Sequence, residues 1–448
     1  MTIYIDCTSI VATELNTGIQ RVERNLIGAL VDDAFTRGES IVPVVCFDGF
    51  RGVEWETFKT KGSTEALGYF YSVKVRAREI RRLRRLVEAV FPVLGFQRWI
   101  HRRWKGRGVL PLAAIFGTVA ATLGVITLAL PSVRWGGRYY EPTAGDVVFL
   151  PGSSWWDFGG ILDRVRDARN HGAIVCAFVH DLFPINHPEW FDSKHVSTFD
   201  NSLRRLVHSV DLLIGNSNAT KKDVIDYLRA NFPLFDGSVG YVHLGADHDM
   251  SLHATVPRSQ LSRVFEAGDS VFVSIGTIEP RKNHAFILDA FEGLWSQGGT
   301  QKLCLVGRFG WKSEYVKQRI LENVFLNDRL FWFSDLTDGE VAYCYAHAKS
   351  VILAAFAEGF GLPLVEALAA GCVVYASDIP IFREVGGERC RFFSLSDVES
   401  LRLLISGEPQ SEGVSVEKGS VDRVFISRTW CDAANELITV VENFRSAL

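Results

Sequence analysis

The sequence predicts two doubly wound α/β domains in tandem. Short, continuous apolar runs alternate with helix-periodic stretches along most of the chain, the pattern of parallel strands covered on both faces. A length of 448 residues fits two or three domains at about 150 residues each. In the first half, strands are predicted over residues 3–5, 41–47, 147–150, 174–179, 211–215 and 239–243, with helices over 19–31, 162–170, 196–207 and 220–230. In the second half the strands fall at 271–275, 303–306, 330–333, 351–355 and 373–376, with helices at 285–295, 313–323, 340–348 and 362–370. A polar connector near 247–261, holding Pro257, separates the halves. The expected division is a domain over 1–250, a second over 251–428, and a final helix over 429–448 whose docking place the pattern leaves open. Ligands of such sheets bind beyond the carboxyl ends of the strands, so the natural site is the cleft between the domains.

Composition narrows the function classes. Hydrophobic residues make up 47% and charged residues 22%, which excludes a largely disordered chain. The balance of 48 Lys and Arg against 52 Asp and Glu, a net charge of -4, excludes a generally basic nucleic-acid coat. Eight scattered cysteines form no CxxC pair and read as reduced core residues of a cytosolic protein. The opening MTIYIDCTSI lacks a basic leader and a long apolar run, so it reads as a first strand and not as a signal peptide.

One stretch breaks the alternation, an insertion at about 51–142. Residues 74–107 carry twelve Lys or Arg against Glu79 and Glu88, with Ile80, Leu83, Val87 and Val90 at helical spacing: a basic amphipathic helix. Residues 109–130 then contain no charge, a length of roughly 33 Å if helical. The flanking strands belong to one sheet, so both ends of the insertion must return to the same side. With Trp99, Arg102, Arg103 and Trp104 before it and Arg134, Trp135, Arg138, Tyr139 and Tyr140 after it, 74–130 reads as a monotopic, re-entrant or interfacial segment on an anionic membrane surface. The alternative is a helix buried in the protein or in a homo-oligomer, using Gly117, Ala121 and Gly124.

Two segments carry chemistry. In Ser274-Ile-Gly-Thr-Ile-Glu-Pro-Arg-Lys-Asn-His284, a strand end leads through Gly276 and Thr277 to Pro280 and a helix start bearing Arg281 and Lys282. Helix starts favour anions, so two cations there fit a diphosphate lying between them and the helix end; the plain alternative is a solvated basic turn. In Phe356-Ala-Glu-Gly-Phe-Gly-Leu-Pro-Leu-Val-Glu366, Glu358 falls on a loop after a strand and Glu366 about one turn into the next helix, so both can face one cleft. Gly359 and Gly361 let the backbone approach a ligand closely, and Glu366 can accept from a ribose diol; otherwise these are a capping carboxylate and a surface glutamate.

Together the two segments resemble the family-4 retaining glycosyltransferases, whose GT-B fold sets two Rossmann-like domains across a cleft. The resemblance rests on Gly276–Asn283, on Leu305-Val-Gly-Arg-Phe-Gly-Trp311, and on Glu358-Gly-Phe-Gly-Leu-Pro363 with Glu366, the family's E-x7-E signature. It continues at Ala370-Gly371, Ser377-Asp378 and Glu384-Val385, and covers most of the chain except the insertion. It implies that Arg281 and Lys282 bind the donor diphosphate, Glu366 the ribose, and Glu358 with the Gly359–Gly361 amides the transferred sugar. Gly276, Thr277, Phe360 and Leu362 count among the substrate-binding positions, and Arg308 is placed toward base or ribose. His180, in His180-Asp-Leu-Phe-Pro184, is implied to touch the donor sugar near its reacting end, whereas alone it would read as a structural histidine. Gly18, in Asn16-Thr-Gly-Ile-Gln-Arg21, is implied in the loop that approaches diphosphate and acceptor, or is simply a turn before a helix. Asn216-Ser217 and His243-Leu-Gly-Ala-Asp247 are further landmarks, more of fold than of catalysis.

The opening residues 1–24 look similar to bacterial mannosyltransferases that build surface polysaccharide. The implied reaction is metal-independent, retaining transfer of a hexose, with GDP-mannose the expected donor, onto a lipid-linked saccharide or lipopolysaccharide at the inner face of the cell membrane. No cofactor beyond the nucleotide sugar and no nucleic acid is expected. Asp247-His-Asp249 formally matches a D-x-D metal pattern, but its place in the connector argues against a metal site. Zinc-ligand spacings, a GxxxxGK[ST] loop and a GxSxG elbow are absent from the sequence. The rival readings are another sugar-nucleotide enzyme of the same fold, such as an epimerase, and a non-catalytic membrane scaffold that keeps a nucleotide pocket.

Overall fold

The computed structural model describes residues 1–12, 18–37, 40–46, 49–53, 138–152, 160–246, 256–266, 270–407 and 428–448. The basic and apolar stretches of 74–130 and the D-x-D-like residues 247–249 lie outside the described residues.

Each half of the chain builds a sheet. The first comprises β1 (Thr2–Asp6), β2 (Ser40–Val45), β3 (Phe50–Gly52), β4 (Tyr139–Tyr140), β5 (Val147–Leu150), β6 (Ile174–Val179), β7 (Leu212–Gly215) and β8 (Ser238–Tyr241), in the order β4-β3-β2-β1-β5-β6-β7-β8. It is parallel from β2 to β8, with Ile3 opposite Ile41 on one side and Val147 on the other. Every residue of β5 and β6 is buried, as an unbroken apolar run requires when helices cover both faces. Those helices are α1 (Gly18–Arg37), α2 (Ile161–Asn170), α3 (Ser193–Val207) and α4 (Asn218–Asn231).

The second sheet comprises β9 (Val271–Ile275), β10 (Lys302–Val306), β11 (Leu330–Phe333), β12 (Ser350–Leu353), β13 (Val374–Ser377) and β14 (Cys390–Phe393), in the order β11-β10-β9-β12-β13-β14. All its pairs are parallel. Its helices are α5 (His284–Ser296), α6 (Glu314–Leu321), α7 (Asp338–His347), α8 (Leu362–Ala369), α9 (Pro380–Gly386) and α10 (Val398–Ser406). This is the Rossmann order, in which the sequence of strands reverses between β9 and β12 and opens a crevice at their carboxyl ends. Two Rossmann-like domains facing a cleft constitute the GT-B fold.

Departures from the expected elements have local causes. Helix α3 begins three residues before the predicted 196 because the Asp192 carboxylate caps it, accepting from the His195 amide at 2.8 Å. Helix α1 runs past the predicted 31, with Ala34 extending its buried face. Strands β3 and β4 were not foreseen, being too short to show an alternation. They pair antiparallel at the sheet edge, Phe50 opposite Tyr140 and Arg51 opposite Tyr139, so the chain leaves for the insertion and returns at adjacent points. The final helix, α11 (Trp430–Ala447), whose docking place was open, packs back on the first domain: Leu437, Ile438 and Val441 share a core with Leu26, Ile27 and Leu30 of α1.

The domains meet along a polar seam. Ser217 Oγ donates across it to the Gly359 carbonyl at 2.8 Å, while within the first domain Asn216 Nδ2 donates to the His180 carbonyl at 2.8 Å. The Glu384 carboxylate of α9 caps α4 across the seam, accepting from the Asn218 and Ala219 amides at 2.7 and 3.0 Å, and pairs with His243 Nε2 at 2.6 Å. The landmarks Asn216, Ser217, His243 and Glu384 are thus residues of this seam. A Cβ on Gly359 would stand 2.2 Å from the His180 carbonyl oxygen. Gly359→Ala is expected to push the domains apart and cost about 1–3 kcal/mol, read by urea unfolding together with a larger radius of gyration in solution scattering. An unchanged midpoint and radius would contradict this packing.

Candidate active site

The cleft between the domains has a volume of about 520 Å³. From the second domain, the loops after β9 and β12 enter at the switch point with Gly276, Thr277, Arg281, Lys282, Glu358 and Gly359; Glu366 follows from α8. From the first domain come Gly18 and Arg21 on the opening turn of α1, and His180 and Asp181 after β6. Phe360, Gly361 and Leu362 also line it, Gly361 holding φ at 88° as the N-cap of α8. Arg308 is exposed and is not among the residues lining this volume; its carbonyl accepts from the Ile278 amide at 2.8 Å, bracing the turn that follows β9.

The cations are arranged differently from the sequence expectation. Arg281 and Lys282 lie in a 3-10 turn, Pro280–Lys282, ahead of α5 and not in its first turn. Both are largely buried and paired with carboxylates. Arg281 Nη1 donates to Glu358 Oε2 at 2.7 Å and its Nε pairs with Glu279 at 2.8 Å, while Lys282 Nζ pairs with Glu358 Oε1. Lys282 is 11% exposed and Glu358 8%. The charge that seemed to require a bound anion is therefore already balanced within the chain. Burial opposes the Glu358 charge, but Arg281 and Lys282 outweigh it and hold the carboxyl below the usual range. Such a carboxylate is a weak base and a good acceptor for hydroxyl groups.

Glu366 is buried and closed on both oxygens: Arg21 Nη2 donates to Oε1 at 2.6 Å and the Tyr345 hydroxyl to Oε2 at 2.9 Å. Arg21 and Tyr345 were not among the predicted site residues. Arg21 was legible, one helical turn from Gly18 and hence on the same face; Tyr345, buried on α7, gave no signal. His180 is 3% exposed, with Nε2 3.0 Å from the Pro151 carbonyl, to which it can donate. Burial lowers its pKa to about 4, so the ring is neutral. Burial pushes Asp181 up to about 6 against the opposing pull of Arg281. Among the described residues, no group of three or more His, Cys, Asp or Glu could hold a metal ion.

Part of the second domain also matches a known protein family. Residues 259–390, which hold both loops of the second domain, match the family Glycosyl transferases group 1. It is 35% identical over 245 residues to the serotype-specific mannosyltransferase WbdA of Escherichia coli, covering 53% of this chain and 30% of that protein. It is 26% identical over 229 residues to O-antigen chain mannosyltransferase B of Escherichia coli, covering 50% of this chain and 58% of that protein. The chain thus spans well under two thirds of the length of these relatives. The solved structure of Anabaena Alr3699/HepE in complex with UDP-glucose aligns with 100% of this chain and 99% of its own at 16% identity and a TM-score of 0.49.

Removing Lys282 leaves a buried carboxylate short of a partner. Lys282→Ala is expected to lower the unfolding free energy by about 3 kcal/mol in urea, and adding Glu358→Gln to recover part of that, because Arg281 keeps Glu279. Equal stability of Lys282→Ala and the parent protein would show the pair to be solvated.

Proposed function

We propose that the protein is a retaining hexosyltransferase that moves mannose from GDP-mannose to a glycan acceptor without a bound metal, in the synthesis of bacterial surface polysaccharide. The observation that carries this reading is the convergence of Arg281, Lys282, Glu358 and Glu366 with His180 and Arg21 in one interdomain cleft. The relatives' mannosyltransferase names support the choice of sugar. An epimerase of this fold would need no acceptor, and a scaffold would not need the buried charge pairs.

Breaking the anomeric C–O bond leaves negative charge on the diphosphate. Arg281 and Lys282, held at the cleft wall by Glu279 and Glu358 before substrate arrives, share their N–H donors with the departing diphosphate and stabilise that charge. The acceptor hydroxyl attacks the same face, and the departing phosphate oxygen takes its proton. Glu358 holds sugar hydroxyls; its depressed pKa makes it a poor general base, in keeping with a positioning role. The neutral His180 ring serves as a hydrogen-bonding partner to the sugar. Ribose binding at Glu366 requires Arg21 to give way, and the diphosphate is the anion that can receive it.

The sequence of 74–130, attached through the β3–β4 neck, is proposed to dock the enzyme on the anionic inner face of the cell membrane, near a lipid-linked acceptor. Among the described residues, no helix is long and apolar enough to cross a membrane.

Incubating the purified protein with a panel of nucleotide sugars and a mannoside acceptor is expected to give GDP release from GDP-mannose and an α-linked product, undiminished by EDTA. Turnover of donor to an epimer without acceptor, or turnover with a different donor alone, would replace this reading. Deleting 74–130 is expected to release the protein from vesicles containing anionic lipid; unchanged vesicle binding would refute the membrane role.

A further inference from the structure

An acceptor must reach the sugar end of the donor, and a run of aromatic rings leads outward from that end. We propose that Trp190 and Phe356 form an acceptor subsite that stacks on pyranose rings of the glycan chain behind the accepting sugar. This inference rests on the glycosyl-transfer reading above and adds the place where the acceptor is held.

Phe356 is a large apolar side chain left 49% exposed, two residues before Glu358. Its amide donates to the Arg281 carbonyl at 2.7 Å, so its position is tied to the cation pair. Trp190 comes from the opposite domain, on the 3-10 turn Pro188–Trp190, with its ring centroid 6.4 Å from that of Phe356 and the planes 22° apart. Behind it, His187 stacks on Trp190 at 4.0 Å and 13°. Trp190 also meets Phe183 edge-on at 6.1 Å, and Phe183 lines the cleft beneath the Arg281 guanidinium, 5.3 Å from its ring centre. Lys312 Nζ donates to the Glu189 carbonyl at 2.6 Å, holding this turn of the first domain against the second.

The chemistry favours a saccharide. A pyranose presents apolar C–H faces with hydroxyls at the rim, and a flat aromatic ring with wet edges complements that pattern. The nucleobase is excluded by direction, since on the proposed reading the ribose lies at Glu366 while the rings join the Arg281 and Glu358 end. The rings come from both domains, so the platform is complete only when the domains are apposed, as transfer requires.

Transfer from GDP-mannose to methyl α-mannoside and to an α-linked mannotriose tests the subsite. In Trp190→Ala and Phe356→Ala, KM for the trisaccharide is expected to rise at least about tenfold while that for the methyl glycoside changes by less than roughly twofold, and Trp190→Phe restores most of the loss. Equal losses on both acceptors, or none on either, overturn the proposal. Saturation-transfer NMR with mannotriose reads binding without turnover: contact in the parent protein that is lost in Trp190→Ala supports the subsite, and contact absent from the parent or equal in both overturns it. A parent protein that contacts mannotriose yet transfers nothing from GDP-mannose would remove the donor reading and leave the subsite standing.

Discussion

The pairing of Glu358 with Arg281 and Lys282 is the constraint on which the site depends. Three largely buried charges meet at the wall of the cleft, and removing a partner from such a buried pair costs several kcal/mol, roughly 3–5. The two loops that carry them leave neighbouring strands, β9 and β12, at the one place in the sheet where the winding reverses. Each loop can therefore keep its conformation only if the other keeps its own. The Phe356 amide bound to the Arg281 carbonyl ties the same two loops through the backbone. The pocket is preorganised by its own charges before any ligand enters.

That constraint reaches the relation between the domains. Gly359, the residue after Glu358, gives its carbonyl to Ser217 and Thr220 of the first domain and lies against the carbonyl of His180. The Glu358 carboxylate and a contact of the seam therefore sit on adjacent residues. A second tie runs through Glu384, which satisfies orphan amides at the start of α4, and a third through α11, which returns the chain to the first domain. Arg21 reaching Glu366 adds a charged contact across the cleft itself. Closure and site geometry are in this way a single structural property.

The legible and illegible parts of the chain divide by the range of the interactions that set them. Strands such as β5 and β6 were plain because burial on both faces writes a continuous apolar run into four to six consecutive residues. The edge strands β3 and β4 were hidden because two or three residues carry no period. The motif residues 276–283 and 358–366 were found because glycines, a proline and charges at fixed spacing are local features. The pairing of Lys282 with Glu358 was not legible, because nothing local reveals a partner 76 positions away.

By itself, then, the sequence determined the two-domain α/β class, the alternation of its elements and the loops that would carry cations and carboxylates, because hydrophobic period and turn chemistry are written within a few consecutive residues. Only the tertiary structure decided which charges neutralise one another, that Arg21 and Tyr345 close on Glu366, and that the last helix belongs to the first domain. Those outcomes depend on burial and on contacts between residues up to several hundred positions apart, such as Arg21 and Glu366 at 345, and desolvation has no magnitude until the chain has folded around the group.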